Sequence, residues 1–185
     1  SGIERIVYAL LIVFVASFSC AFTATIFSFA PNSFIEYEMN HNLKLLLRLI
    51  MSFVGVFGFS IIFNSTVKMA ATAGAMGACA NFVRLLLIDH RMSAGIAAFI
   101  GAFMAGLIAS FIKRYVGFPR ITLTVASIVI MVPCMYMYKG VHFLQAGNFN
   151  EGGVWLCKAF LIVVALPLGL VFARILTDKN FAKSS

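Results

Sequence analysis

Apolar residues run along this chain in long blocks, and polar residues are confined to the short intervals between them. A helix needs about 20 apolar residues to cross the hydrocarbon core of a bilayer. Six blocks have roughly that length: 3–29, 44–63, 67–88, 92–112, 121–138 and 154–175. The connecting intervals 30–43, 64–66, 89–91, 113–120 and 139–153 leave no room for a soluble domain. The first block is too long for the apolar core of a secretory signal, and no small-residue cleavage site follows it cleanly. The pattern therefore predicts an all-α fold, a polytopic transmembrane helical bundle of about six spans. The fifth span stands out: it holds Pro133, which lacks a backbone N–H, so the helix is expected to break there and to free the carbonyl of Val129. Broken backbone at membrane depth is tolerated only where protein or a water-lined cavity covers it, and transporters often build their sites on such breaks.

Composition agrees. With 62% hydrophobic residues, 11% charged and mean hydropathy +1.02, the chain carries about half the charge of a globular domain. The net charge of +8 invites a nucleic-acid reading, but the basic residues are scattered at span ends, where they anchor to headgroups and set orientation. With the N-terminus inside, Arg5, Lys68, Lys113, Arg114, Arg120, Arg174, Lys179 and Lys183 fall on the inner side. Lys44, Arg48, Arg84, Arg91, Lys139 and Lys158 fall on the outer side. The cluster 113–120 favours both termini on the cytoplasmic side. Ser1-Gly2, without a starting Met, reads as a processing or tag scar.

Cys20, Cys79, Cys134 and Cys157 lie in or at the edges of spans with no metal or redox spacing, and read as small packing residues. His41, His90 and His142 are single and placed in loops, so no metal is expected. Without a phosphate-binding loop or a catalytic constellation, neither an ATP motor nor an enzyme is expected, nor any cofactor. Glu4, Glu36, Glu38, Asp89, Glu151 and Asp178 are all terminal or in loops. Proton-coupled carriers use a buried carboxylate or histidine, so a partner would have to supply it. The Asn64-Ser65-Thr66 sequon is too close to the membrane to be glycosylated.

Small residues mark the packing faces. In the fourth span Ala94, Ala98, Ala102, Gly106 and Ser110 form one row, beside Ala97, Gly101, Ala105 and Ala109. Phe99, Phe103, Leu107 and Phe111 form the bulky opposite side. The third span is small nearly all round from Ala70 to Ala80. Such faces let helix backbones approach closely in lipid, so these two spans are expected to pack together at the centre.

The polar residues inside spans are few. Gly74, Gly77, Asn81 and Arg84 share one face of the third span. Arg84 either binds a substrate or snorkels outward toward Asp89, and Arg48 and Lys158 have the same two readings. In the fifth span Arg120, Thr124, Ser127, Met131, Cys134 and Tyr138 follow helical spacing, either lining a path or bonding back to their own helix.

The segments Gly58-Phe59-Ser60-Ile61-Ile62-Phe63-Asn64, Gly74-Ala75-Met76-Gly77 and 119–138 with Met131-Val132-Pro133 resemble the C-terminal membrane domain of the bacterial threonine/serine exporter family. The resemblance covers about 43–175 and makes 1–42 an added N-terminal span with an acidic loop, ahead of a five-span exporter-like domain at 43–185. It implies a secondary transporter in the bacterial cytoplasmic membrane, exporting threonine and serine or a dicarboxylate such as succinate. It also implies a second membrane subunit or domain that carries the acidic and histidine residues. This chain has Ile130 where the family has a proline and Cys134 where it has a glycine. An exporter path would use Asn64, Asn81, Arg84, Thr124, Ser127, Pro133, Tyr138 and Lys158. The alternatives are a structural or assembly subunit without its own path, and a channel-like homo-oligomer associated through the fourth span.

Overall fold

The computed structural model describes residues 40–117 and 120–177, with isolated helical positions between 4 and 27. Most of the expected first span and most of the interval 30–43 lie outside the described residues, as does Cys20. The rest forms six helices: α1 His41–Ile62, α2 Val67–Asp89, α3 Ala94–Val116, α4 Arg120–Val129, α5 Cys134–Gln145 and α6 Phe149–Thr177. No strand occurs among the described residues. Helices α1, α2, α3 and α6 are each long and apolar enough to cross a membrane, and α4 with α5 qualifies as one broken span. They correspond to expected spans two to six, with the break at Pro133. The six helices and their turns belong to two compact units, 40–132 with 161–177, and 133–160.

In the larger unit α2 is central, packing on α1, α3 and α4, and α4 also touches α1 and α3. The sequence explains why. Ala70, Ala73, Gly74, Gly77, Ala78 and Ala80 of α2 are buried, and such side chains let three neighbours approach one axis. The small face of α3 is shared between two partners. Gly101 meets α2, where a Cβ would lie 3.3 Å from the Ala80 carbonyl oxygen. Gly106 and Gly169 bring α3 against the C-terminal half of α6, where a Cβ on Gly169 would sit 2.5 Å from the Phe99 carbonyl oxygen. Phe99 closes this seam edge-on against Phe172.

The outward faces are apolar. Met51, Val54 and Ile62 of α1 and Phe160, Leu161, Phe172 and Leu176 of α6 are exposed. Soluble monomers rarely expose so many large apolar side chains together; a bilayer covers such a surface.

Helix ends show how the short loops close. After α1 and α2 the residues Asn64 (φ 59°) and Arg91 (φ 62°) are left-handed. Ser65 N–H donates to the Ser60 carbonyl and Met92 N–H to the Leu87 carbonyl. This pattern satisfies the last carbonyls of each helix.

In the smaller unit α5 and the start of α6 form a hairpin. Gly147 (φ 77°) turns the chain, Gly140 faces Leu156, and Gly152 faces Leu144. The structure corrects the expected loop 139–153 here, because α5 continues to Gln145 and α6 begins at Phe149. The apolar block ends near Tyr138, but the helix persists until Gly147 supplies a left-handed cap. His142 is accordingly helical rather than in a loop, and His41 is the first residue of α1. Of the cysteines read as small packing residues, Cys79, Cys134 and Cys157 are free and exposed.

Candidate functional site

The break in the fifth span is closed by two tight backbone bonds. Met131 N–H donates to the Ile128 carbonyl at 2.9 Å, and Val132 N–H to the Val129 carbonyl at 3.2 Å. The Val129 oxygen is therefore not left open by Pro133, contrary to expectation: the last turn of α4 tightens to three-residue spacing and reclaims it. Met131 and Pro133 are fully buried, so the irregular backbone is covered.

A chain of buried polar side chains lies between α1 and α2. Asn81 Nδ2 donates to Ser52 Oγ at 2.8 Å, and Arg84 Nη1 donates to Asn81 Oδ1 at 3.3 Å. Asn81 is 5% exposed and Arg84 7%. Arg84 thus does not snorkel to the surface. Its backbone position explains this: a Cβ built on Gly101 would lie 3.1 Å from Arg84 Cβ and 3.2 Å from Met131 Sδ. The arginine is rooted where α2 and α3 cross beside the break. Asp89 takes a different partner, since its carboxylate is held by Arg48 of α1, with the second contact, Nη2 to Oδ1, at 3.3 Å.

A guanidinium inside a span is costly, and such residues face the protein interior and mark functional paths. The fork of donors matches a carboxylate bidentately. Asn81 and Ser52 add one amide and one hydroxyl beside it, groups suited to a small polar ligand.

The hydroxyl row of the fifth span points elsewhere. Thr124 Oγ1 donates back to its own helix, within 3.0 Å of the Arg120 carbonyl. Ser127 Oγ lies 2.7 Å from the Leu123 carbonyl and 3.2 Å from the Ala73 carbonyl of α2. A Cβ on Gly77 would meet the Ser127 carbonyl at 3.0 Å, so α4 and α2 touch backbone to backbone there. Both hydroxyls serve helix packing in this arrangement. Arg120 Nη2 donates to the Gly106 carbonyl of α3 at 3.4 Å.

Of the remaining candidates, Asn64 is exposed in the turn after α1, where it caps that helix. Tyr138 and Lys158 belong to the smaller unit. The Tyr138 ring packs near His142, and Lys158 Nζ lies 4.8 Å from the centroid of Trp155. The fold therefore joins Asn81 and Arg84 directly and sets Ser127 against the same helix two turns earlier. Ser52 was missed by sequence reasoning. Its signal was a lone polar position mid-span, four residues before the buried Val56 and eight before the buried Ser60. No group of three or more His, Cys, Asp or Glu residues able to hold a metal occurs among the described residues.

Comparison with known proteins places these features. Residues 48–176 match the family described as "Threonine/Serine exporter, ThrE". A protein of Haemophilus influenzae, named only "Uncharacterized protein", is 28% identical over 147 residues, covering 71% of this chain and 49% of that protein. The chain thus spans about half the length of this relative. No solved structure matches the chain. The matched segment takes in all of α2 to α5 and most of α1 and α6, including the broken span and the buried polar chain. This is an integral membrane protein, and it belongs to the threonine/serine exporter family.

Proposed function

We propose that this chain is one membrane subunit of a secondary exporter for small hydrophilic metabolites carrying a carboxylate: threonine and serine, or a dicarboxylate such as succinate. The observation that supports it is the buried Ser52–Asn81–Arg84 chain rooted beside the break at 130–133. Arg84 takes the substrate carboxylate, while Asn81 and Ser52 take its hydroxyl or ammonium. The spans between 44 and 88 and between 92 and 138 contain no Asp or Glu. A second membrane subunit therefore supplies the titratable group for coupling. We place the complex in the bacterial cytoplasmic membrane, with both termini of this chain in the cytoplasm.

The test is co-reconstitution with the second subunit in proteoliposomes and measurement of labelled threonine, serine and succinate flux. Arg84→Gln is expected to lower flux at least tenfold, about 1.4 kcal/mol or more in transition-state terms, while the complex still elutes intact. Flux of none of the three solutes, or undiminished flux in Arg84→Gln, would remove the reading.

A second reading, an assembly subunit without its own path, has one observation in its favour. The Thr124 and Ser127 hydroxyls reach backbone carbonyls, so that row lines a helix seam. Under that reading Arg84→Gln weakens assembly and transport together.

A further inference from the structure

In the unit 133–160, two lysines converge on one indole. Lys139 Nζ of α5 lies 4.7 Å from the Trp155 ring centroid and Lys158 Nζ of α6 lies 4.8 Å from it. Tyr136 packs on the same indole at 5.7 Å between centroids. Both ammonium groups are thereby held beside the same indole. Neither makes an ion pair among the described residues, and Glu151, one turn before Trp155, bonds to neither. A cation over an aromatic face gains about 0.5–1 kcal/mol at an exposed site, and the two lysines bring two positive charges to one indole with no carboxylate paired to them among the described residues. One oxyanion beside the indole is attracted by both charges, and the indole carries an N–H donor.

The level of the cluster in the membrane identifies the oxyanion. Between Lys158 and Arg174, residues 159–173 are all apolar, about 22 Å of helix at 1.5 Å per residue. Residues 149–158, by contrast, include Asn150, Glu151 and Lys158. Long cationic side chains at the two ends of such a run are placed to reach the headgroups, so Lys158 and Arg174 mark the ends of a segment that fits the hydrocarbon core of roughly 30 Å. Trp and Tyr favour the same boundary. The anion present at that depth at high local concentration is the phosphate of a phospholipid. Basic pockets between membrane helices bind such headgroups.

We propose that Lys139, Trp155 and Lys158 form a binding site for the phosphate headgroup of an anionic phospholipid. The site is independent of the Arg84 chain and of the transport reading.

Trp155 is the chain's single tryptophan, so its fluorescence reports the site alone. The full-length chain is placed in nanodiscs of phosphatidylcholine and phosphatidylglycerol, with either lipid carrying brominated tails. Quenching by brominated phosphatidylglycerol is expected to indicate roughly tenfold enrichment over phosphatidylcholine at equal mole fraction. Lys139→Gln/Lys158→Gln is expected to abolish the preference, and Lys139→Arg/Lys158→Arg, which keeps both charges, to retain it. Inorganic phosphate added to pure phosphatidylcholine discs is expected to leave Trp155 emission unchanged. Equal quenching by the two lipids, a preference that survives the glutamine pair or vanishes in the arginine pair, or a saturable response to inorganic phosphate would each overturn the lipid site.

Discussion

Arg84 shows how far a single residue can be read before its neighbours are known. A charge inside an apolar block announces itself, and its cost in lipid restricts it to an interior or to the surface. Which of the two applies is decided by Gly101, whose missing side chain lets α3 close over the arginine stem beside Met131. Ser52 is the opposite case. A serine in a span is unremarkable until the fold brings Asn81, twenty-nine positions later, within 2.8 Å. Asn64 illustrates a third outcome, a polar residue present for backbone geometry. At φ 59° it occupies a conformation that disfavours branched side chains, costing them about 1–2 kcal/mol. Asn64→Val is therefore expected to lower thermal stability in detergent by roughly that amount, and Asn64→Gly to leave it within a few tenths of a kcal/mol. Equal stability of the valine variant would show that the turn rearranges freely.

At the scale of elements, the helices are written in the apolar blocks, while their ends and contacts depend on local bonding. Pro133 marked the break in advance, yet the Val129 carbonyl finds Val132 N–H one residue short of the proline. Likewise α5 runs past its apolar block to Gln145: Gly140 is packed against Leu156 inside the hairpin, and Gly147 at φ 77° makes the turn. The small-residue rows announced close helix approach, but not which neighbour each row would take. Gly169 and Gly58 make the distinction measurable. A Cβ on Gly169 would meet the Phe99 carbonyl at 2.5 Å and the Phe103 nitrogen at 3.0 Å, whereas Gly58 has nothing within 4 Å. Gly169→Ala is expected to cost about 1–3 kcal/mol through forced separation of α3 and α6. Gly58→Ala is expected to stabilise α1 by about 0.5–1 kcal/mol. Thermal unfolding of the two variants in one detergent checks both; a neutral Gly169→Ala would mean the seam is looser than its geometry.

At the scale of the whole molecule, the apolar exterior and the absence of acidic residues from most of the membrane interior point in one direction. The outward faces of α1 and α6 suit lipid or another membrane subunit, and proton-coupled carriers use a titratable carboxylate or histidine inside the membrane. Liposomes holding this chain alone are therefore expected to pass labelled threonine no faster than protein-free liposomes. Adding the second subunit is expected to start a flux that depends on the pH gradient. Transport by the chain alone would relocate the coupling group into this chain, with His142, whose Nδ1 is buried without a hydrogen-bond partner, as the first residue to replace.

The sequence by itself determined the membrane setting, the number and order of apolar helices between 41 and 177, the break at Pro133 and the family. Each of these follows from local composition or from short runs of residues, because the bilayer tests every span for length and apolarity independently of its neighbours. Only the tertiary structure decided which polar groups meet. It joined Ser52 to Asn81 and Arg84, gave Asp89 to Arg48, turned the Thr124 and Ser127 row onto backbone carbonyls, and gathered Lys139 and Lys158 on Trp155. Ser52–Asn81, Arg48–Asp89 and Lys139–Trp155 join different helices, and the partners of such pairs are chosen by where glycine and alanine allow backbones to approach.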